Sequence, residues 1–169
     1  MIGKKVKLAI VSFTVMIFAF GSTVFAVTNH SDAWFREHLR SGVSYSADFN
    51  SGTDGNHLFP YNCLAYAIDE TAKWVWPWKS SGYDRDATAT EMTAFLRSYG
   101  YSDRNTGNPN NPPKLIAYGK SLSSVGHIAR VLDSSTTKSK WGIAELVTTY
   151  SLSPYNSSAG YGPAVQYYY

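Results

Sequence analysis

The chain has 169 residues, of which 44% are hydrophobic, 15% aromatic and only 16% charged, which fits one folded domain with an appendage and excludes two large domains or a disordered chain. Its formal charge of +3 would suit a nucleic-acid or anionic-membrane partner, but the excess sits in one place. Lys4, Lys5 and Lys7 are three of the 15 basic residues and all precede residue 8, so the rest of the chain balances its 12 acidic groups and forms no basic stripe, which argues against a nucleic-acid partner.

Those lysines lead into an apolar run from Leu8 to Phe20 and then Val24-Phe25-Ala26. A basic start, a short apolar stretch and small residues at the minus-three and minus-one positions are the pattern of a secretory signal peptide, residues 1–26, cleaved after Ala26. The run falls short of the roughly 20 residues that a membrane span needs. The expectation is a secreted, extracellular protein with no stable membrane anchoring after cleavage, acting as a monomer. An N-terminal arm, 27–56, comes next. It holds a short amphipathic stretch around Trp34, Phe35 and Leu39, ends in the turn-forming Ser51–Asn56, and is expected to wrap the domain loosely.

The remaining domain, 57–169, opens with Leu64, Ala67, Ile68, Thr71 and Val75 at helical spacing, predicting a helix over 62–73. Thr88-Ala89-Thr90-Glu91 has capping-box spacing and starts a second helix, with Met92, Phe95, Leu96 and Tyr99 on one face and Gly100 as its stop. An Asn/Pro-rich loop leads to a strand over 114–118. Residues 125–133 and 138–145 are β-prone runs joined by a small polar turn, which predicts a hairpin. Pairing Asp133 with Lys138 sets His127 opposite Ala144, and a one-residue shift sets it opposite Glu145. The alternating 164–169 reads as a last strand.

A secreted chain with one cysteine, Cys63, cannot staple itself, so the thiol is buried, paired between chains or kept for its reactivity. At a helix start, unsatisfied amides and the helix dipole favour the thiolate. His127 could take its proton, forming a thiolate–imidazolium pair, and Glu145 could hold the second ring nitrogen. Asn62 either caps the helix or donates its amide to an oxyanion together with the Cys63 amide. His30, His38, His57 and His127 are scattered, so neither a metal nor a cofactor is expected. The aromatic cluster from Trp74 to Tyr83 is either core or a groove wall.

Asn62-Cys63-Leu-Ala-Tyr-Ala67 opening a helix, Gly126-His127-Ile-Ala-Arg-Val131 on a strand and Ile143-Ala-Glu145 on the next resemble the Cys, His and Glu segments of CHAP and NlpC/P60-type peptidases of the papain-like superfamily. Ser139-Lys-Trp-Gly142 followed by Tyr161-Gly162 is similar to a less characterised group of papain-like bacterial proteins. The resemblance implies an α+β fold with the nucleophile helix packed on an antiparallel sheet. It also implies a cysteine hydrolase of amide bonds, with a peptide or peptidoglycan-type substrate and Cys63, His127 and Glu145 as catalytic residues. Two other readings stand beside it: a non-catalytic secreted domain that binds a protein or acts as a toxin-like module, and a thiol acyltransferase of transglutaminase type.

Overall fold

The computed structural model describes residues 30–48, 61–78, 85–104, 107–108, 110–142 and 145–169. The expected signal peptide, the expected turn over Ser51–Asn56, His57 and Tyr83 lie outside them. In chain order the elements are α1 (Asp32–His38), β1 (Tyr45–Asp48), α2 (Cys63–Ala67), α3 (Ala89–Arg97), β2 (Asp103–Arg104), β3 (Leu115–Ser121), β4 (Ser124–Val131), β5 (Thr137–Lys140), β6 (Leu146–Thr149) and β7 (Ala164–Tyr168). The strands form one seven-stranded sheet in the order β1-β6-β5-β4-β3-β7-β2, and every pair is antiparallel. Among the described residues no helix is long and apolar enough to cross a membrane.

This architecture overturns the α+β papain-like expectation. The molecule is mostly antiparallel sheet, and its described helices have only seven, five and nine residues, too short to build the helical side of such a domain. The element meant to be the long nucleophile helix shows why. α2 stops at Ala67 because the amide of Glu70 donates to the Ala65 carbonyl and that of Asp69 to the Tyr66 carbonyl, while Asp69 adopts φ 63°. That is a Schellman termination with aspartate in the left-handed position usually taken by glycine. The apolar spacing continues to Val75, but Val75 reaches the core on an irregular segment rather than on a helix.

Side chains alternate along β3 and divide the core. Leu115 and Ala117 join Leu64, Ala65, Met92, Leu96, Ile128 and Tyr168 on one face, while Ile116 and Tyr118 join Phe35, Trp141, Val147 and Tyr155 on the other. α3 follows its sequence signature. Thr88 and Glu91 make a complete capping box, and Gly100 leaves the helix at φ 86°. Tyr99, expected on the apolar face, is instead exposed.

The described part of the arm, residues 30–48, is not loose. Phe35 of α1 and Leu39 are buried, the Arg40 amide donates to the Pro154 carbonyl, and β1 pairs with β6 in register from Tyr45↔Thr149 to Asp48↔Leu146. One edge of the sheet is therefore built by the arm.

The β4–β5 hairpin has a register different from the expected one. The Leu132 amide donates to the Thr136 carbonyl, which tightens the turn and sets Val131 against Thr137 and Arg130 against Lys138. Extending that register places Ile128 across from Lys140 and His127 across from Trp141, not from Glu145. The ladder does not extend that far. β4 continues beside β3 and β5 beside β6, and the two strands part where Ile128 and Lys140 would have met.

Candidate thiol site in the strand split

The first turn of α2 lies at this opening, against β4 and β5. The Ile128 amide, which has no β5 partner there, faces the Cys63 sulfur, as do the amides of Leu64 and Cys63 itself. Cys63 thus stands where a strand partner would have been. Lys140, fully buried, is on the opposite side of the split, with the charge of Lys140 acting on the thiol and that of Glu145 on Lys140. Its Nζ donates to the Gly142 carbonyl at 3.3 Å and lies 5.7 Å from the centre of the Tyr61 ring.

His127, next to Ile128, carries its ring to the tyrosine-rich side. It stacks on Tyr161 with centroids 3.8 Å apart and planes 6° from parallel, and meets Tyr155 edge-on at 5.2 Å. Neither ring nitrogen has a hydrogen-bond partner, although the residue is 1% exposed. A buried imidazole without a polar partner is rare in a purely structural role, because burying unsatisfied polar atoms costs free energy. Cys63 and His127 line the same narrow cavity, of about 40 Å³, with no hydrogen bond between them.

The charge states differ from the expected ion pair. Burial pushes the Cys63 thiol up, opposed by the three amides and Lys140. Burial also brings His127 down to about 3 and Lys140 down to about 7, the latter countered by Glu145 and Cys63. The resting pair is therefore a neutral thiol and a neutral imidazole, since a five-residue helix does not offset desolvation of this size.

Glu145 sits elsewhere than the sequence suggested. Its buried carboxylate accepts the His30 amide at 2.7 Å and faces His30 Nδ1 at 2.8 Å, and His30 stacks on Trp34 of the arm at 3.9 Å. The register shift carries it away from the imidazole, and the group that orients His127 is the Tyr161 face. Asn62 resolves its two options as well. Its Oδ1 accepts from the Ala65 amide at 3.0 Å and the Val75 amide at 3.3 Å, and its Nδ2 donates to the Val75 carbonyl at 2.8 Å. Asn62 is the cap of α2 and a clamp on Val75, with its amide group engaged away from the thiol.

Sequence reasoning overlooked Lys140, Tyr161 and His30. Lys140 and Tyr161 lie in the Ser139-Lys-Trp-Gly142 and Tyr161-Gly162 segments, but nothing in the local sequence marks Lys140 as buried. Among the described residues no group of three or more His, Cys, Asp and Glu could hold a metal ion.

A family profile described as "Domain of unknown function (DUF7689)" matches residues 53–169. No curated protein and no solved structure matches the chain.

Proposed function

We propose that this chain, which belongs to the DUF7689 family, is a secreted thiol hydrolase of amide bonds in peptides, cell-wall peptides included, with Cys63 as nucleophile and His127 as its base. The observation that carries this reading is a buried imidazole with two unpartnered nitrogens and a thiol ringed by three backbone amides, on two residues that line one cavity. Such amides favour negative charge on sulfur or on a carbonyl oxygen bonded to it.

In the proposed cycle the Sγ proton passes to a ring nitrogen of His127 as sulfur bonds to the substrate carbonyl carbon. The carbonyl oxygen takes up the electron pair and lies against the amides. On collapse the C–N bond breaks, the amine departs with the proton from His127, and a thioester remains on Cys63. Water, deprotonated by His127, attacks the thioester carbon; the C–S bond then breaks, the acyl group leaves as the carboxylic acid, and His127 returns its proton to Sγ. The ammonium of Lys140 holds the sulfur as thiolate while it is the leaving group. Glu145 and His30 act at one remove by fixing the field around Lys140.

The test is acylation by p-nitrophenyl acetate, read as nitrophenolate release and as acetyl on Cys63 by peptide mass spectrometry. The expected result is an acetyl-thioester at Cys63, none in Cys63→Ser, and a rate lower by about 10²-fold or more in His127→Ala. Equal rates in the wild type and His127→Ala would refute the assignment, since the thiol would then be acting alone.

A further inference from the structure

The segment Trp74–Trp78 is not absorbed by the proposed chemistry, yet it is built onto the residue preceding the nucleophile. Through its bonds to both the amide and the carbonyl of Val75, Asn62 ties this segment to the start of α2. Val75 is buried beneath it, whereas Trp74, Trp76 and Trp78 remain partly exposed. Trp76 and Trp78 have planes 8° from parallel with centroids 5.7 Å apart, and Arg85 lies 5.4 Å over Trp78. Trp76, Pro77 and Trp78 wall the cavity that Cys63 and His127 share, and Leu64, Met92 and Val125 line it from the core side.

We infer that this wall is the subsite for the acyl portion of the substrate, and that it takes an acyl residue with a large apolar side chain, aromatic or leucine-like. The inference rests on Cys63 being the acylated nucleophile. Apart from Cys63 and His127 themselves, the charged and amide side chains at the cavity are committed to the protein: Asn62 to Val75, Arg85 to Glu91 at 2.9 and 2.5 Å, and Asp86 to Ser124 at 2.7 Å. A sugar needs a set of polar groups aimed at its hydroxyls, and a charged side chain needs a partner once desolvated. Half-exposed indoles over an apolar slot satisfy neither and suit an apolar group. The cavity, about 40 Å³, is too small to enclose a ring, so the side chain lies along the indole faces at its mouth with the carbonyl directed at Cys63.

The experiment compares p-nitrophenyl esters of N-acetyl-phenylalanine, N-acetyl-leucine, N-acetyl-aspartate and N-acetyl-lysine, each rate divided by that with free cysteine to remove intrinsic reactivity. The phenylalanine and leucine esters should acylate Cys63 about tenfold or more faster than the charged ones, a margin typical of an apolar subsite. Trp76→Ala and Trp78→Ala should each bring that ratio close to one. No preference in the wild type, or a preference surviving both substitutions, overturns the subsite. His127-dependent acylation without side-chain preference overturns the subsite alone, whereas acylation indifferent to His127 overturns the underlying assignment and the subsite with it.

Discussion

Asn62→Ala is the substitution that most directly tests how the site is assembled. Asn62 is 3% exposed and its side chain serves three backbone groups: the Ala65 amide, the Val75 amide and the Val75 carbonyl. Loss of an asparagine cap costs about 1 kcal/mol. The two bonds to Val75 add about 1 kcal/mol each, and more if its polar groups stay buried without partners. Destabilisation of about 3 kcal/mol is expected, or about 10 °C in Tm for a chain of this size. Asn62→Ser should recover about 1 kcal/mol of this, because a hydroxyl restores the cap but is too short to reach across to Val75. Urea denaturation followed by tryptophan fluorescence measures both and uses the affected Trp74–Trp78 segment as reporter. An alanine variant within 1 kcal/mol of the wild type, or serine and alanine variants equal in stability, would refute the double role of cap and clamp.

Acid sensitivity should trace to His127, whose pKa burial lowers to about 3 from an ordinary value of about 6.5. The unfolded chain binds a proton that the native one refuses, so this contribution is intact above about pH 6.5. It falls by up to about 1.4 kcal/mol per pH unit as pH drops from there towards 3. Urea midpoints between pH 7 and 4 should slope less steeply in His127→Gln, and identical slopes would count against a neutral buried imidazole. Thr88→Ala removes the acceptor for the Glu91 amide from the capping box and should cost about 1 kcal/mol, or about 3 °C by thermal melt, with no change in Cys63 acylation. A larger loss of acylation than of stability would mean that α3 shapes the thiol site.

What the sequence disclosed was local chemistry. Thr88 and Glu91 form a box within one turn, and Leu115–Tyr118 and the terminal tyrosines carry strand propensity in their own side chains. What it withheld was set between distant residues or by a single dihedral. Asp69 ends α2 by taking a positive φ that aspartate adopts only occasionally, and periodicity through Val75 is equally compatible with a helix and with an irregular segment pinned by Asn62. One bond, from the Leu132 amide to the Thr136 carbonyl, shifts the hairpin register and separates His127 from Glu145. β1 and β6 have only four residues each, and β6 lacks an apolar alternation, so their pairing could not be read from either alone. The thiol and imidazole were legible as reactive types, but their neutral resting state was not, because desolvation is a property of the whole fold.

The place of β7 governs when the sheet can form. It inserts between β3 and β2, with Leu115 paired to Tyr168 and Ile116 to Tyr167, and its Tyr168 is fully buried in the same core as α2 and α3. Until residue 168 has been synthesised, β3 lacks a neighbour along a whole edge, and much of the core around Leu115 stays open to water. Contacts that span some fifty residues form late. The β3 edge and the core around Tyr168 therefore close only once β7 is present, and a chain whose core is still open is one that the proposed export route could thread through a membrane channel.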